Sequence, residues 1–406
     1  MMIGSNLFGL GLCALLLPSL AVTESTSTLP TAAATSTAVA AVQLDDLASH
    51  AYNQTVANLT AGSNSKRGGC TLETLKVRRD WSTFSKAERK EYINSVLCLQ
   101  SLPARTPASL AAGAKTRYDD FVATHINQTL YIHYTGTFLA WHRYFTWQFE
   151  QALRDECGFT GDFPYWNWPA TANSLEDSAV FDGSDTSMSG NGEYVSNESE
   201  IILYLGDTPP VDLPRGTGGG CVTSGPFLNY TVNMGPAALS LPGGTTQSSA
   251  NPFDYNPRCL KRDLTTAIIE QYANYTAVVD LILANNDIWD FEMAMQGVPG
   301  SGSIGVHGGG HYAMGGDPGR DVYVSPGDPA FWHHHGMIDR VWWIWQSLDP
   351  AHRLEAISGT GTFLNEPPSA NTTLDTVIDI GYANGDPIAM RQLMSTTGGD
   401  FCYIYM

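Results

Sequence analysis

The feature that most restricts how this chain can fold is the grouping of its histidines. Of ten in 406 residues, His125, His133 and His142 form one group and His307, His311, His333, His334 and His335 a second, with His50 and His352 isolated. A single histidine on an apolar helix face is usually a satisfied core residue. Several buried together without partners would cost roughly 1–3 kcal/mol each, and a metal ion satisfies them instead. Two such groups imply two metals, and the fold has to make the imidazoles of each group converge.

Spacing constrains how they do so. His133 and His142 lie about 180° out of phase on any continuous helix, so they cannot share a face. His133 must come from the turn before the helix that carries His142, held there by Tyr134-Thr135-Gly136, while His125 reaches in from the preceding helix. His307 and His311 stand at i and i+4 and share a face if helical, despite Gly308-Gly309-Gly310 between them. Each glycine costs about 1 kcal/mol in a helix, so bound metal or a close approach of backbone to substrate is needed to justify the run. Imidazole sets of this kind suit copper, zinc, iron or nickel, and ligand type alone does not choose. The chain has no His-Glu-x-x-His motif and no cysteine inside either group, which argues against a zinc protease or a structural zinc site.

Helical patterns surround these groups. Tyr118, Phe121, Val122 and His125 follow i, i+3, i+4, i+7, and Phe138, His142, Phe145 and Phe149 repeat the stripe. Residues 261–296 are compatible with helix, and Asp328-Pro329 reads as the N-cap and first turn of a helix running to about Leu348, with Phe331, His335, Ile338, Trp342 and Trp345 on one face. Between them, 169–258 is rich in Gly, Pro, Ser, Asp and Asn without periodicity, which is loop chemistry. The expected fold is mainly α: a helical bundle holding the metal site, with long irregular loops and little β. A formal charge of −19 repels phosphate backbones and anionic lipid, so neither nucleic acid nor a membrane surface is an expected partner.

The apolar run Leu7–Ala21 is too short to span a bilayer and, with Ser19-Leu20-Ala21 as a cleavage site, reads as a signal peptide over 1–21. Residues 22–67, rich in Thr, Ser and Ala and ending at Lys66-Arg67, read as a propeptide, and covering the mouth of the site is a role open to it. That leaves 68–406 as a single catalytic domain. Asn-x-Ser/Thr sequons at Asn53, Asn58, Asn127, Asn197, Asn229, Asn274 and Asn371 fit a secreted, extracellular glycoprotein. Beyond Cys13, the even set Cys70, Cys98, Cys157, Cys221, Cys259 and Cys402 fits three disulfides. Sequence does not select among the pairings; the working assignment is Cys70–Cys402, Cys98–Cys157 and Cys221–Cys259, the last because both lie in one loop-rich insertion.

Two motifs carry a family resemblance. One is His133 with Phe138-Leu139-Ala140-Trp141-His142-Arg143; the other is Asp328-Pro329-Ala330-Phe331-Trp332-His333-His334-His335-Gly336-Met337-Ile338-Asp339-Arg340. Together they resemble the type-3 copper proteins, which comprise tyrosinases, catechol oxidases and haemocyanins. The likeness runs from about residue 70 to Tyr403-Ile404-Tyr405, which resembles the tyrosine motif closing the family's catalytic domain; the form expected is the short, secreted fungal one without a C-terminal lid domain. The resemblance implies two copper ions, the first on His125, His133 and His142 and the second on His307, His311 and His335. It leaves His334 just behind the ligands and His333 structural or solvent-facing, and it pairs Arg143 with Asp339 between the copper-bearing helices.

Departures from the family pattern shape the expected activity. No Cys lies between His125 and His133, so the thioether cross-link of many relatives is absent. Tyrosinases often carry an Asn directly after the first ligand of the second copper and an upstream Glu, which together hold a water that helps deprotonate phenols. Here those positions read Gly308 and Gln296, with Glu292 as the fallback, which weakens that route. Val322 stands where some catechol oxidases place a bulky Phe, and leaves the site open. The expected activity is oxidation of o-diphenols to o-quinones with O2, with some hydroxylation of small monophenols; the alternative is a haemocyanin-like oxygen carrier without an open substrate path. The mouth is expected to be apolar around Val322 and Met337, and no Arg-lined pocket is legible that would favour an acidic substrate.

Overall fold

The computed structural model describes residues 32–61, 69–205 and 208–406. The signal peptide read at 1–21, the start of the propeptide and Lys66-Arg67 lie outside the described residues.

The core is helical. After a first helix, α1 (Ala32–Thr60), α2 (Lys86–Leu99), α3 (Arg117–Ile132) and α4 (Phe138–Cys157) precede the loop-rich insertion; α5 (Thr266–Tyr272), α6 (Tyr275–Ala284), α7 (Ile288–Gln296), α8 (Gly305–Met314) and α9 (Phe331–Leu348) follow it. Local chemistry sets several ends. α2 and α3 open on reciprocal capping boxes, Ser85 with Glu88 and Thr116 with Asp119, and α4 stops at Gly158, whose φ of 69° is one a glycine adopts without strain. The helix-compatible stretch 261–296 is broken into three pieces, with Asn274 and Asp287 capping the second and third through their side chains. α9 begins three residues after Asp328 rather than at it. The Asp328 carboxylate does accept the Ala330 N–H, but it also takes a bidentate pair from buried Arg262 at 2.7 and 2.8 Å, which ties the helix entry to the far side of the insertion.

α4 packs against α9 and α2, while α8 packs on α5, α7 and α9. Aromatic rings fill the α3–α4–α9 junction: Phe149 lies flat on Trp332 with centroids 3.7 Å apart, and Phe121 meets both edge-on. A three-stranded parallel sheet closes one end, with β1 (Lys76–Asp80) between Tyr403–Tyr405 and β2 (Phe163–Tyr165). The three expected disulfides are all present. Within 169–258 the chain makes only two- to four-residue strands in antiparallel pairs, so the reading of irregular loops with little β holds.

Composition hid one element. Residues 32–60, part of the stretch read as a propeptide, form the 29-residue α1, with Ala40, Leu44, Ala51 and Leu59 buried against the body. α1 packs on α6, α9 and the C-terminal strand, and none of its described residues lines the cavity described below, so it does not cover the mouth. Among the sequon asparagines, Asn274 alone is partly buried, because it caps α6; the other six are exposed.

Candidate metal centre

Both histidine groups are buried and face each other across the α4–α9 contact. His125 projects from α3 and His142 from α4. His133 sits where α3 ends, its backbone extended at φ −120° and ψ 141°, so it leaves the helix as the phase argument required. The next residue, Tyr134, takes φ 50°, a left-handed conformation costly for a residue with a Cβ. Gln296 holds that turn in place: its Oε1 accepts the Tyr134 N–H at 2.7 Å, and its backbone carbonyl accepts the Tyr134 hydroxyl at 2.9 Å.

In the first group, one nitrogen of every ring is committed. Nδ1–H of His125, His133 and His142 donates to the carbonyls of Tyr323, Thr129 and Phe138 at 2.8, 3.0 and 2.8 Å. That fixes the tautomer and leaves Nε2 as a lone-pair donor. Nε2 of His125 and of His142 is buried without a partner. In the second group, His307 Nε2, His311 Nδ1 and His335 Nδ1 are likewise orphaned, and His335 Nε2 lies 3.3 Å from His311 Nε2. Burial holds all these imidazoles well below their ordinary pKa, that of His133 down to about 4, so they are neutral and able to bind metal near neutral pH. The rings of His142 and His335 stack 4.5 Å apart at 14°, which brings the two groups side by side. Orphaned nitrogens, neutral rings and an all-imidazole donor set fit two copper ions.

His334 falls closer to the centre than expected: one of its nitrogens lies within 4.8 Å of donor atoms on His307, His311 and His335. Its ring presses on the glycine run, where a Cβ at Gly310 would stand 2.2 Å from His334 Cε1 and Nδ1. Close packing therefore explains Gly310, and the same holds at Gly309, whose Cβ would meet Tyr272 Cβ at 3.0 Å. His333 points away from the group. It is wholly buried between Trp81 and Tyr92 with both ring nitrogens unpartnered, which rules out the solvent-facing alternative.

A cavity of about 330 Å³ opens onto this centre. His133, His307 and His311 lie in its lining, with Gly308, Gln296 and Val322, three of the positions singled out from sequence. Val322 is 40% exposed at the rim, as an open mouth requires. Met337, expected beside it, is fully buried and absent from the lining. Gln296 accepts one hydrogen bond through Oε1 and donates one through Nε2, to the Glu292 carbonyl at 3.2 Å; it braces the His133 turn and, as a neutral amide, supplies no carboxylate to the cavity. The fallback, Glu292, does not line the cavity, and burial pushes its carboxyl well up towards the neutral form.

Much of the wall was not foreseen. Ile202, Leu203, Tyr204, Leu205 and Ala238 come from the insertion, and Phe363 and Leu364 from the segment after α9; nothing in those loop-like sequences signals the role. Arg320 lines the cavity too, contrary to the expectation of no arginine there. The charge pairing expected nearby is in place, with Arg143 Nε donating to Asp339 Oδ1 at 2.5 Å, and both hydroxyls of the tyrosine motif, Tyr403 and Tyr405, donate to Asp339 Oδ2.

Residues 115–348 match the family described as the common central domain of tyrosinase. The chain is 43% identical over 333 residues to tyrosinase P of Aspergillus terreus, covering 81% of this chain and 91% of that protein. It is 39% identical over 349 residues to the N-acetyl-6-hydroxytryptophan oxidase of Emericella nidulans, covering 83% and 93%. The fold matches the solved structure of a polyphenol oxidase variant from Thermothelomyces thermophila with a TM-score of 0.84 and 46% identity, over 89% of this chain and 97% of that one.

Proposed function

The chain belongs to the tyrosinase family and is a tyrosinase-type oxidase with a dinuclear copper site, taking a phenolic substrate and O2; from that premise we propose that it oxidises small o-diphenols to o-quinones and hydroxylates small monophenols only slowly. The observation that carries the reading is the open, largely apolar cavity that exposes His133, His307 and His311 and has no carboxylate among the described residues of its lining. When bound, two copper ions supply the O2 binding and the two-electron acceptance; each catechol gives up two electrons and two protons, so two catechols reduce one O2 to two waters.

The chain's own residues position the substrate. Val322 leaves the rim open, Phe363 and Tyr204 offer ring faces, and Gly308 keeps the floor free of a side chain beside His307. A catechol hydroxyl is acidic enough to lose its proton without a dedicated base. A monophenol is less so, and where a carboxylate would help the cavity holds Gln296, a neutral amide that cannot take up the proton.

Oxygen uptake by the copper-loaded protein tests the reading. Uptake on catechol with slow uptake on a small monophenol is the expected result. Comparable rates on both would overturn the catechol preference, and silence on both with copper bound would favour the oxygen carrier. We further propose that residues 1–21 direct secretion, that cleavage follows Lys66-Arg67, and that the exposed sequon asparagines carry glycans; three disulfides and the seven sequons support this.

A further inference from the structure

Arg320 is 7% exposed and forms part of the cavity wall, two residues before Val322. Its Nε and Nη1 are buried with no hydrogen-bond partner. The nearest carboxylate oxygen, Asp263 Oδ2, is 3.9 Å from Nη1, beyond hydrogen-bonding distance. That carboxylate is already occupied by the N–H groups of Gly216 and Gly218 at 3.1 Å each. Asp317, another acidic neighbour, is held bidentately by Arg258, whereas Glu198 acts on Arg320 only electrostatically and leaves its own buried Oε2 without a hydrogen-bond partner. Burial outweighs the attraction of these neighbours and pulls the guanidinium below its usual pKa.

The contrast within the same protein is informative. Arg78, Arg117, Arg143 and Arg262 are more deeply buried, and each has a carboxylate oxygen within 3.1 Å. Arg340, also more deeply buried, has none, but it lies over the Tyr165 ring and outside the cavity lining. Arg320 is the one of these six in the cavity wall, and a buried charge without a close partner is costly. Beside it, the Tyr312 and Ser240 hydroxyls lie 3.1 Å apart in the same lining. Only one of their two protons is used in that contact, so the other can be donated to an acceptor in the cavity.

We infer that Arg320 is the anchor for a carboxylate carried by the substrate, so that the preferred phenols bear an acid group on a short side chain reaching from the copper centre to this wall. Arg320 is thus a specificity-determining residue, and the inference rests on the catechol-oxidase reading of the same cavity. A charge-assisted contact of this kind shifts affinity by roughly tenfold.

The test compares dihydrocaffeate with its primary amide as substrates of the copper-loaded enzyme. Phenylpropionate and phenylpropionamide, which lack the phenolic hydroxyls, serve as calorimetric binding probes. Wild type should favour the acid by about tenfold in kcat/KM, expressed in KM, and bind phenylpropionate more tightly than the amide by a similar factor. Arg320→Gln should abolish both preferences, and Arg320→Lys should retain part of each. Equal treatment of acid and amide by wild type overturns the inference even if Arg320→Gln fails to fold, as does an undiminished acid preference in a folded Arg320→Gln. Absence of oxygen uptake on either substrate, with calorimetry still favouring phenylpropionate, would count against the catechol-oxidase reading and leave the anchor standing.

Discussion

Replacing Asp339 with Asn should separate the copper-bearing helices energetically while changing side-chain volume very little. Asp339 is 3% exposed and receives Arg143 Nε at 2.5 Å, Arg78 Nη1 at 3.3 Å, and the hydroxyls of Tyr403 and Tyr405 at 2.7 and 2.5 Å. Burial by itself would raise its carboxyl pKa; the two guanidiniums and the two hydroxyls reverse that and hold it below the usual range. Removing one member of a buried ion pair costs about 3–5 kcal/mol, because the partner charge stays buried. The lower end applies here: Arg78 keeps Glu150 at 2.8 Å, and Arg143 keeps the carbonyls of Leu393 and Met394 and the Gln346 side chain. The expected loss is therefore about 3 kcal/mol for Asp339→Asn and about 3 kcal/mol for Tyr405→Phe, which removes two charge-assisted hydrogen bonds, the one donated to Asp339 and the one accepted from Arg78 Nη1 at 3.0 Å. Urea unfolding of the copper-loaded and the metal-free protein measures both, and copper content reports whether His142 and His335 stay in register. The pH dependence has a definite sign. Asp339's folded pKa is depressed, so its contribution is complete above its unfolded pKa of about 3.9 and is lost as the pH falls through the folded value. The gap between wild type and Asp339→Asn should therefore close only in acid. A loss below about 1 kcal/mol at neutral pH would refute the reasoning.

The remaining predictions concern single features. Gly310→Ala gains about 1 kcal/mol of helix propensity yet drives a Cβ into the His334 ring, so melting temperature and copper content should both fall; a rise in either would show that the ring can move aside. His333→Phe removes two orphaned nitrogens from an aromatic pocket, so thermal stability should hold or increase with copper content unchanged, whereas His335→Gln should lose copper from the second group. Cutting the full chain after Arg67 should leave α1 bound through gel filtration and change the KM for catechol less than about threefold, because α1 lies away from the cavity; a tenfold gain in activity would mean that the helix reaches the mouth. Stripping copper should make stability strongly pH-dependent, read by urea unfolding of the metal-free protein between neutral pH and mild acid. The buried imidazoles titrate far below the unfolded value of about 6.5, so each one withdraws about 1.4 kcal/mol per pH unit as the pH falls below it. A flat profile across that range would mean that the imidazoles are already protonated or solvated in the folded state.

The histidine spacing made the centre legible because helix geometry is a local rule. The half-turn phase offset between His133 and His142 forced a chain break there, and the end of α3 and the left-handed Tyr134 fall at that point. The Asp328-to-Arg340 motif likewise announced a helix, since its apolar residues recur at the helical period. Composition did not reveal the helix at residues 32–60. Its Ala- and Thr-rich run carries no marked apolar stripe, and only packing against α6 and α9 shows which small side chains are buried.

What the chain determined by itself is the set of groups that can meet a metal and their approximate elements, because periodicity and residue chemistry are properties of short segments. Tertiary structure decided which loops wall the cavity, that Gln296 braces a turn while Glu292 stays out of the lining, that His334 leans on Gly310, and that Arg320 stands in the wall without a hydrogen-bonded carboxylate. Those outcomes depend on contacts between residues tens to hundreds of positions apart, which no local pattern encodes.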